Sequence, residues 1–385
     1  MPRKVCVVVT ARPSYSRIRT ALEAIRAHPD LELQLVVAAS ALLDRYGNAV
    51  NVIAEEGFDI DRQVYMILEG ENLVTSAKST GLGIAELATV FDNLKPDMVV
   101  TVADRFETMA TAIAASYMNL PLVHVQGGEV TGSIDEKVRH AITKLADVHL
   151  VSCAPARERV IKMGERPERV FVTGCPSIDL AREAVAAEPR DITDTLSGYG
   201  GVGADVDLGE GYIVVLQHPV TTEYENAAEH ARKTLRAVHE GRWPTLWFWP
   251  NVDAGSDGTS SAIRHYRETN ALRQIHFYKN LRPMDFLSIL LNSRGIVGNS
   301  SVAIRECAYL GVPAVNIGSR QQGRDRGRNV RDVAYDSDAI SKAIAAMFDQ
   351  DERPQDMIYG DGSAGRQIAD TLAVCDLSIE KMLTY

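Results

Sequence analysis

Short apolar runs alternate with longer amphipathic ones along most of the chain. Residues 4–10 (KVCVVVT), 33–40, 97–102, 122–126, 148–152 and 169–174 are rich in β-branched residues and read as strands. Between them, 15–28, 81–95, 106–119 and 137–147 carry apolar positions at helical spacing. Continuously apolar strands separated by helices predict a parallel sheet covered on both faces. A Gly-rich, acidic interval at 196–211 interrupts the pattern and is the best boundary. The alternation then resumes, with strands at 212–217, 245–250, 275–279, 295–299 and 313–318. Helical stretches fall near 223–240, 258–270, 283–292, 301–310 and 338–349. The last pattern, 362–383, reads as a helix able to pack back on the first half. The expected class is therefore α/β, with two doubly wound halves facing a cleft. They cover residues 1–185 and 210–365, and 366–385 returns to the first. Ligands of such sheets lie beyond the carboxyl ends of the strands.

Composition narrows the function classes. A chain of 385 residues with 45% hydrophobic and 24% charged residues is ordinary for a globular protein of two domains. The net charge of −10 argues against a nucleic-acid partner, which needs a basic face. No apolar run approaches the ~18–20 residues of a membrane span, so no membrane partner is expected. Cys6, Cys153, Cys175, Cys307 and Cys375 are scattered, with no C-x-x-C pair. They read as reduced core thiols of a cytoplasmic protein. No metal-ligand spacing stands out, and no cofactor is expected: neither a Walker A motif nor a G-x-G-x-x-G follows a strand.

The run 297–306, VGNSSVAIRE, stops an apolar strand at Gly298 and supplies an amide and two hydroxyls. The turn that follows holds no acid before Glu306, although helix N-termini favour one. Ser300 and Ser301 with the backbone N–H groups of a helix start form a phosphate cradle. The loop 318–330 adds Arg320, Arg324, Arg326 and Arg328, and guanidinium groups bind phosphate bidentately. After the first strand, Arg12-Pro13-Ser14-Tyr15-Ser16 adds another cation and more hydroxyls. Three such features at strand ends point to a diphosphate, and a nucleotide sugar fits best.

Acid–base candidates gather elsewhere. Asp104, with Arg105 beside it, follows the strand 97–102. The segment 124–147 packs His124, Glu129, Asp135, Glu136, Arg139 and His140 together, and Gly127, Gly128 and Gly132 let its backbone turn sharply and approach a ligand. His218 stands where strand 212–217 ends, and Asn251 and Asp253 follow strand 245–250.

Five of these stretches, HVQGGEVTGSIDEKVRHAITKLAD, LQHPVTTE, WPNVDAGS, GNSSVAIRE and GSRQQGRDRGRNV, resemble the hydrolysing UDP-N-acetylglucosamine 2-epimerases. These are the bacterial sialic-acid pathway enzymes and the epimerase half of the animal bifunctional enzyme. The likeness runs from Lys4 to about residue 375. It implies two Rossmann-like domains of the glycosyltransferase-B type and a homodimer or homotetramer. It also implies chemistry in which C2 is deprotonated, UDP leaves C1, and water adds to give N-acetylmannosamine. By the resemblance Arg12 and Ser16 contact nucleotide or phosphate, and Asp104 and Asp135 are acid–base groups. His218 and Asn251 lie on the nucleotide side, Ser300, Ser301 and Arg320 hold phosphate, and Glu306 binds ribose.

Two positions depart from the pattern. Many members carry a catalytic Glu where this chain has Gln126, and an amide cannot exchange a proton as a carboxylate does. Glu129 or His124 could supply that function. Arg-Pro-Ser at 12–14 replaces the usual Arg-Ala-Asp. A related UDP-sugar, such as a 2,4-diacetamido-6-deoxy sugar, is the alternative substrate. A glycosyltransferase or a non-catalytic nucleotide-sugar binder are the alternatives of other classes.

Overall fold

A computed structural model describes all residues except 45–46, 70–72, 103–104, 132–134, 189–190, 251–254, 280, 351 and 385, and the side chains at 73, 135 and 221. The chain forms two compact units. Unit 1 comprises Met1–Glu129, Asp135–Asp179 and Tyr359–Tyr385; unit 2 comprises Val130–Ile134 and Leu180–Ile358.

The first sheet is built from β1 (Arg3–Val9), β2 (Leu31–Ala38), β3 (Arg62–Val64), β4 (Met98–Val102), β5 (Leu122–Val125), β6 (Val148–Val151) and β7 (Val170–Val172). Its helices are α1 (Arg12–Ser16), α2 (Arg19–Ala27), α3 (Ala49–Glu55), α4 (Leu73–Leu94), α5 (Phe106–Tyr117), α6 (Asp135–Leu145) and α7 (Ala154–Lys162). The helix α8 (Pro176–Ala186) follows β7. Strand order is β3-β2-β1-β4-β5-β6-β7, all parallel. The order reverses between β1 and β4, which puts the ends of those strands at the switch point.

Residues from α9 (Ile192–Ser197) onward build the second sheet from β8 (Gly201–Gly203), β9 (Ile213–Leu216), β10 (Thr245–Phe248), β11 (Ile275–Tyr278), β12 (Gly295–Gly298), β13 (Ala314–Ile317) and β14 (Val330–Val333). Its helices are α10 (Ala227–Gly241), α11 (Ser256–Thr269), α12 (Pro283–Asn292), α13 (Glu306–Leu310) and α14 (Ser337–Phe348). The order is β14-β13-β12-β9-β10-β11-β8, and only β8 among the described strands is antiparallel. Here the switch point lies between β9 and β12. The last helix, α15 (Ala364–Val374), belongs to unit 1.

The side-chain period of two explains the cores. On β1, Val5, Val7 and Val9 point to one face and join Leu22 and Ile25 of α2 and Ile368 and Leu372 of α15. Cys6 and Val8 point to the other, where Leu87 and Phe91 of α4 and Ala110 of α5 cover them. In unit 2, Ile213 and Val215 pack on Leu235, Val238 and Ile344, and Trp247 is fully buried in the same cluster. Val214 and Ile296 face Leu287, Leu290 and Cys307 instead. All five cysteines are free and buried, and burial raises the pKa of Cys6, Cys307 and Cys375, which keeps these thiols protonated. No helix of the described residues is long and apolar enough to cross a membrane.

Several elements depart from the sequence pattern. The Gly-rich interval 196–211 contains the edge strand β8, whose glycines let it lie against β11: a Cβ at Gly203 would come within 2.4 Å of the Ile275 carbonyl oxygen. The expected helix 301–310 is a 3-10 turn at Ser301–Ala303 followed by the short α13. Asn329 donates Nδ2 to the Ala303 oxygen at 3.2 Å, where the Cys307 N–H would bond in a continuous helix. The expected helix 362–383 stops at Val374, and Asp376 Oδ1 accepts the Ser378 N–H at 3.0 Å, a local turn that competes with helix.

The tail beyond α15 is held by charge. The Glu165 carboxylate, almost fully buried, takes Lys144 Nζ at 2.5 Å, His149 Nε2 at 3.0 Å and Lys381 Nζ at 2.7 Å. Burial alone would raise its pKa, but the hydrogen bonds from His149, Lys144 and Lys381 outweigh it and hold Glu165 down to about 2 from the usual 4.5. A depressed carboxylate contributes stability that is present above the unfolded pKa and lost as pH falls through the folded one. Glu165→Gln is therefore expected to be less stable than the native chain at pH 7. The two denaturant-unfolding curves should converge between pH 4.5 and 2; a difference independent of pH would refute this.

Candidate active site

The run around Gly298 lies at the unit 2 switch point. Gly298 pairs with Leu216 across β9 and β12, at φ +139°. A Cβ there would sit 2.2 Å from the Leu216 oxygen, so only glycine permits this approach. The next side chain spans the two strand ends. Asn299, fully buried, accepts the His218 N–H on Oδ1 at 2.7 Å and donates Nδ2 to the His218 oxygen at 2.8 Å. His218, almost fully buried, is thereby fixed at the end of β9. The Asn299 carbonyl accepts Arg320 Nη1 at 3.1 Å and Gln321 Nε2 at 3.0 Å. One residue thus binds β9, β12 and the loop after β13.

Ser300 caps the 3-10 turn, its Oγ accepting the Val302 N–H at 3.4 Å. Because that turn and the short α13 replace the expected helix 301–310, no continuous helix starts here; local N–H groups, hydroxyls and guanidinium remain. Not all the loop arginines are available to a ligand. Arg326 forks onto both oxygens of Asp332 and donates to the Gln321 oxygen at 2.5 Å, and Arg324 donates to Gln321 Oε1 at 2.7 Å. These two brace the loop, because acceptors of the same loop and strand lie within reach. Glu306 Oε2 is buried without a hydrogen-bond partner among the described residues, as is Gln217 Oε1, one residue beyond β9. Such atoms invite a donor from a ligand or water.

Unit 1 presents a similar rim. Thr10, Gln126 and Thr173 are each the first residue past a strand, and Thr10 Oγ1, Gln126 Oε1 and Thr173 Oγ1 are buried without partners among the described residues. Gln126 adopts φ +68°, a left-handed conformation unusual for a side chain with a Cβ. Its N–H donates to the Leu150 oxygen at 2.9 Å and its Nε2 to Cys175 Sγ at 3.0 Å. Glu129, buried, accepts Ser152 Oγ at 2.6 Å, while its own carbonyl accepts Arg139 Nη1 at 2.9 Å. His124 lies within β5 rather than beyond it, fully buried, with Nδ1 3.1 Å from Thr143 Oγ1 of α6. Of the three glycines expected to approach a ligand, Gly132 lies outside the described residues, and the space at the other two is filled by the protein itself: a Cβ at Gly128 would meet the Ala156 oxygen at 2.4 Å, and one at Gly127 the His124 ring at 2.9 Å.

Arg12 opens α1 directly after β1, at the unit 1 switch point, and Ser16 Oγ donates to the Pro13 oxygen at 3.1 Å. Arg105 caps α5 and pairs with buried Glu107 at 3.2 Å. Asp104 and Asn251, and the side chain of Asp135, lie outside the described residues. Sequence reading passed over Gln217, Ser152 and the bracing role of Asn299. Only the position of each just past an apolar run could have drawn notice.

Comparison with known proteins adds lineage to this geometry. The family model described as UDP-N-acetylglucosamine 2-epimerase matches residues 23–373. The chain is 31% identical over 377 residues to a UDP-N,N'-diacetylbacillosamine 2-epimerase (hydrolyzing) of Legionella pneumophila, covering 98% of this chain and 97% of that one. It is 30% identical over 354 residues to polysialic acid biosynthesis protein P7 of Escherichia coli, covering 91% and 87%. In fold it is similar to the Neisseria meningitidis UDP-GlcNAc 2-epimerase bound to UDP-GlcNAc. There the TM-score is 0.79 at 16% identity, covering 96% of this chain and 99% of that one.

Two substitutions test the strand-end brace. Gly298→Ala forces a β-carbon onto the Leu216 oxygen and should cost about 2–4 kcal/mol of stability. Asn299→Ala leaves buried backbone groups of His218 unpaired and should cost about 1–3 kcal/mol. Denaturant unfolding followed by circular dichroism measures both, and losses below about 0.5 kcal/mol, the range of ordinary surface changes, would contradict the brace.

Proposed function

The chain belongs to the UDP-N-acetylglucosamine 2-epimerase family, and we propose that it is a hydrolysing member, converting UDP-N-acetylglucosamine to N-acetylmannosamine and UDP. The observation that carries this reading is the unit 2 switch point. There Asn299 holds the ends of β9 and β12 together beside Ser300, Ser301 and Arg320. Backbone N–H groups, hydroxyls and a guanidinium suit a diphosphate. The unpartnered Glu306 Oε2 suits a ribose hydroxyl.

In the proposed reaction a base takes the proton from C2 of the sugar while the C1–O bond to UDP breaks. A C1=C2 double bond forms. Water then adds its oxygen to C1, and a proton returns to C2 from the opposite face, inverting that centre. The diphosphate leaves as an anion, and Ser300, Ser301 and Arg320 stabilise the charge that develops on it. Asp104 and Asp135 take the acid–base roles, and Arg12 and Ser16 contact nucleotide or phosphate. Gln126 cannot exchange protons, so it acts as a hydrogen-bonding group. Glu129 is a further candidate acid, tied to Ser152. His218 and Asn251 serve the nucleotide side.

A second reading has its own support: a 2,4-diacetamido UDP-sugar as substrate. The 31% identity to the Legionella protein favours it, as does the neutral amide at 126. Incubation with each sugar nucleotide and NMR analysis of products separates the two. Free N-acetylmannosamine from UDP-N-acetylglucosamine supports the first, and turnover of only the diacetamido substrate supports the second. An unchanged sugar in both would remove the epimerase reading.

Asp104→Asn and Asp135→Asn are expected to abolish turnover while UDP still binds. Near-native rates in either variant would take that residue off the acid–base list. Ser301→Ala and Arg320→Ala should weaken UDP binding by about 1–3 kcal/mol each, as charge-assisted contacts do, and calorimetry reads the effect.

A further inference from the structure

Behind the loop that carries Arg320 lies a group of side chains with no assigned role. Glu223, in the 3-10 segment Thr221–Asn226, accepts the Ser319 hydroxyl. Its other oxygen lies 3.9 Å from His230 Nδ1. His230, one turn into α10, stacks flat on Tyr335, with ring centroids 3.5 Å apart and planes 5° from parallel. The Tyr335 ring fills the space over Gly318, where a Cβ would come within 2.2 Å of it. The Tyr335 hydroxyl also accepts Asn299 Nδ2 at 3.4 Å. Gly318 itself adopts φ +75° and donates its N–H to the Val333 oxygen at 2.9 Å.

The turn 318–321 is therefore held from three directions: Tyr335 against Gly318, Glu223 on Ser319, and the Asn299 carbonyl on Arg320 and Gln321. A glycine-led turn has many conformations available to it, and each anchor removes some of them before a ligand arrives. A hydroxyl on a carboxylate is a strong anchor, being charge-assisted. Burial raises Tyr335 to about 12, so its hydroxyl stays neutral beside Asn299.

We propose that Glu223 and Tyr335 are positioning residues for nucleotide-diphosphate binding: they fix the Gly318–Gln321 turn and so preset the Arg320 guanidinium. The inference rests on the reading of this strand end as a diphosphate site. It adds that affinity for the diphosphate depends on groups that do not touch it.

The test compares UDP, titrated by calorimetry, with uridine, followed by ligand-observed NMR. Glu223→Ala should bind UDP about ten-fold more weakly, a change of one decade in Kd, while uridine affinity and the melting temperature stay near native. Glu223→Gln keeps an acceptor for Ser319 and should recover most of the loss. Ser319→Ala should lose a similar factor, and the double variant should lose no more than either single one, because both remove the same bond. Tyr335→Leu should weaken UDP selectively, and Tyr335→Phe should restore it. Native UDP affinity in Glu223→Ala, or equal losses for UDP and uridine, would overturn the proposal. If the native protein binds no UDP, the diphosphate reading itself falls, and this inference with it.

Discussion

Two hydrogen bonds of one buried side-chain amide join the strand ends on which the second unit's candidate site depends. β9 and β12 are neighbours in the sheet but diverge in the chain, because β9 leads to β10 and β12 leads to β13. A crevice opens wherever connections part in this way. Asn299 spans it by mimicking a peptide unit, giving His218 both an acceptor and a donor. The close approach needs Gly298. The fixed position of Asn299 then offers its carbonyl to Arg320 and Gln321. Remove the amide and the ends of β9 and β12 and the arginine loop lose their common anchor.

The first unit solves a different problem. The central strands of its sheet are mostly apolar, and polar groups follow at their carboxyl ends. The change comes within a single residue at Thr10, Gln126 and Thr173, where apolar strand gives way to a buried hydroxyl or amide. Gln126 pays in backbone strain for its place, and its neighbours Leu150 and Cys175 hold it there. Among the described residues these atoms have no partner: Gln126 Oε1 can only accept, while the Thr10 and Thr173 hydroxyls can donate or accept. The charged cluster around Glu165 ties the tail to the rest of unit 1 through Lys381.

Apolar runs revealed the central strands because those strands are buried on both faces and tolerate few polar residues. Three edge strands gave no such signal: β3, β8 and β14 are mostly exposed or half-buried and need no apolar run, whereas the edge strand β7 was read from its Val-Phe-Val run. The helices α7 and α8 were passed over for another reason. Ala, Arg and Glu in their sequences satisfy a helix without a strong apolar stripe, so periodicity alone is weak there. The break between Ser301–Ala303 and α13 was invisible because its cause, Asn329, stands far along the chain.

The sequence by itself determined the α/β class, the parallel sheets and the small set of strand ends where chemistry could lie. Burial of short apolar runs and the period of their helices are local properties, so they are written locally. Only the tertiary structure decided which of the polar residues at those ends are braces and which keep an unpartnered atom. Arg326 and Ser300 look alike as phosphate ligands in the sequence, yet one is tied to Asp332 and the other caps a turn. A hydrogen bond forms between whichever donor and acceptor the fold brings within about 3 Å of each other. That distance is set by residues remote in the chain, and no local pattern records it.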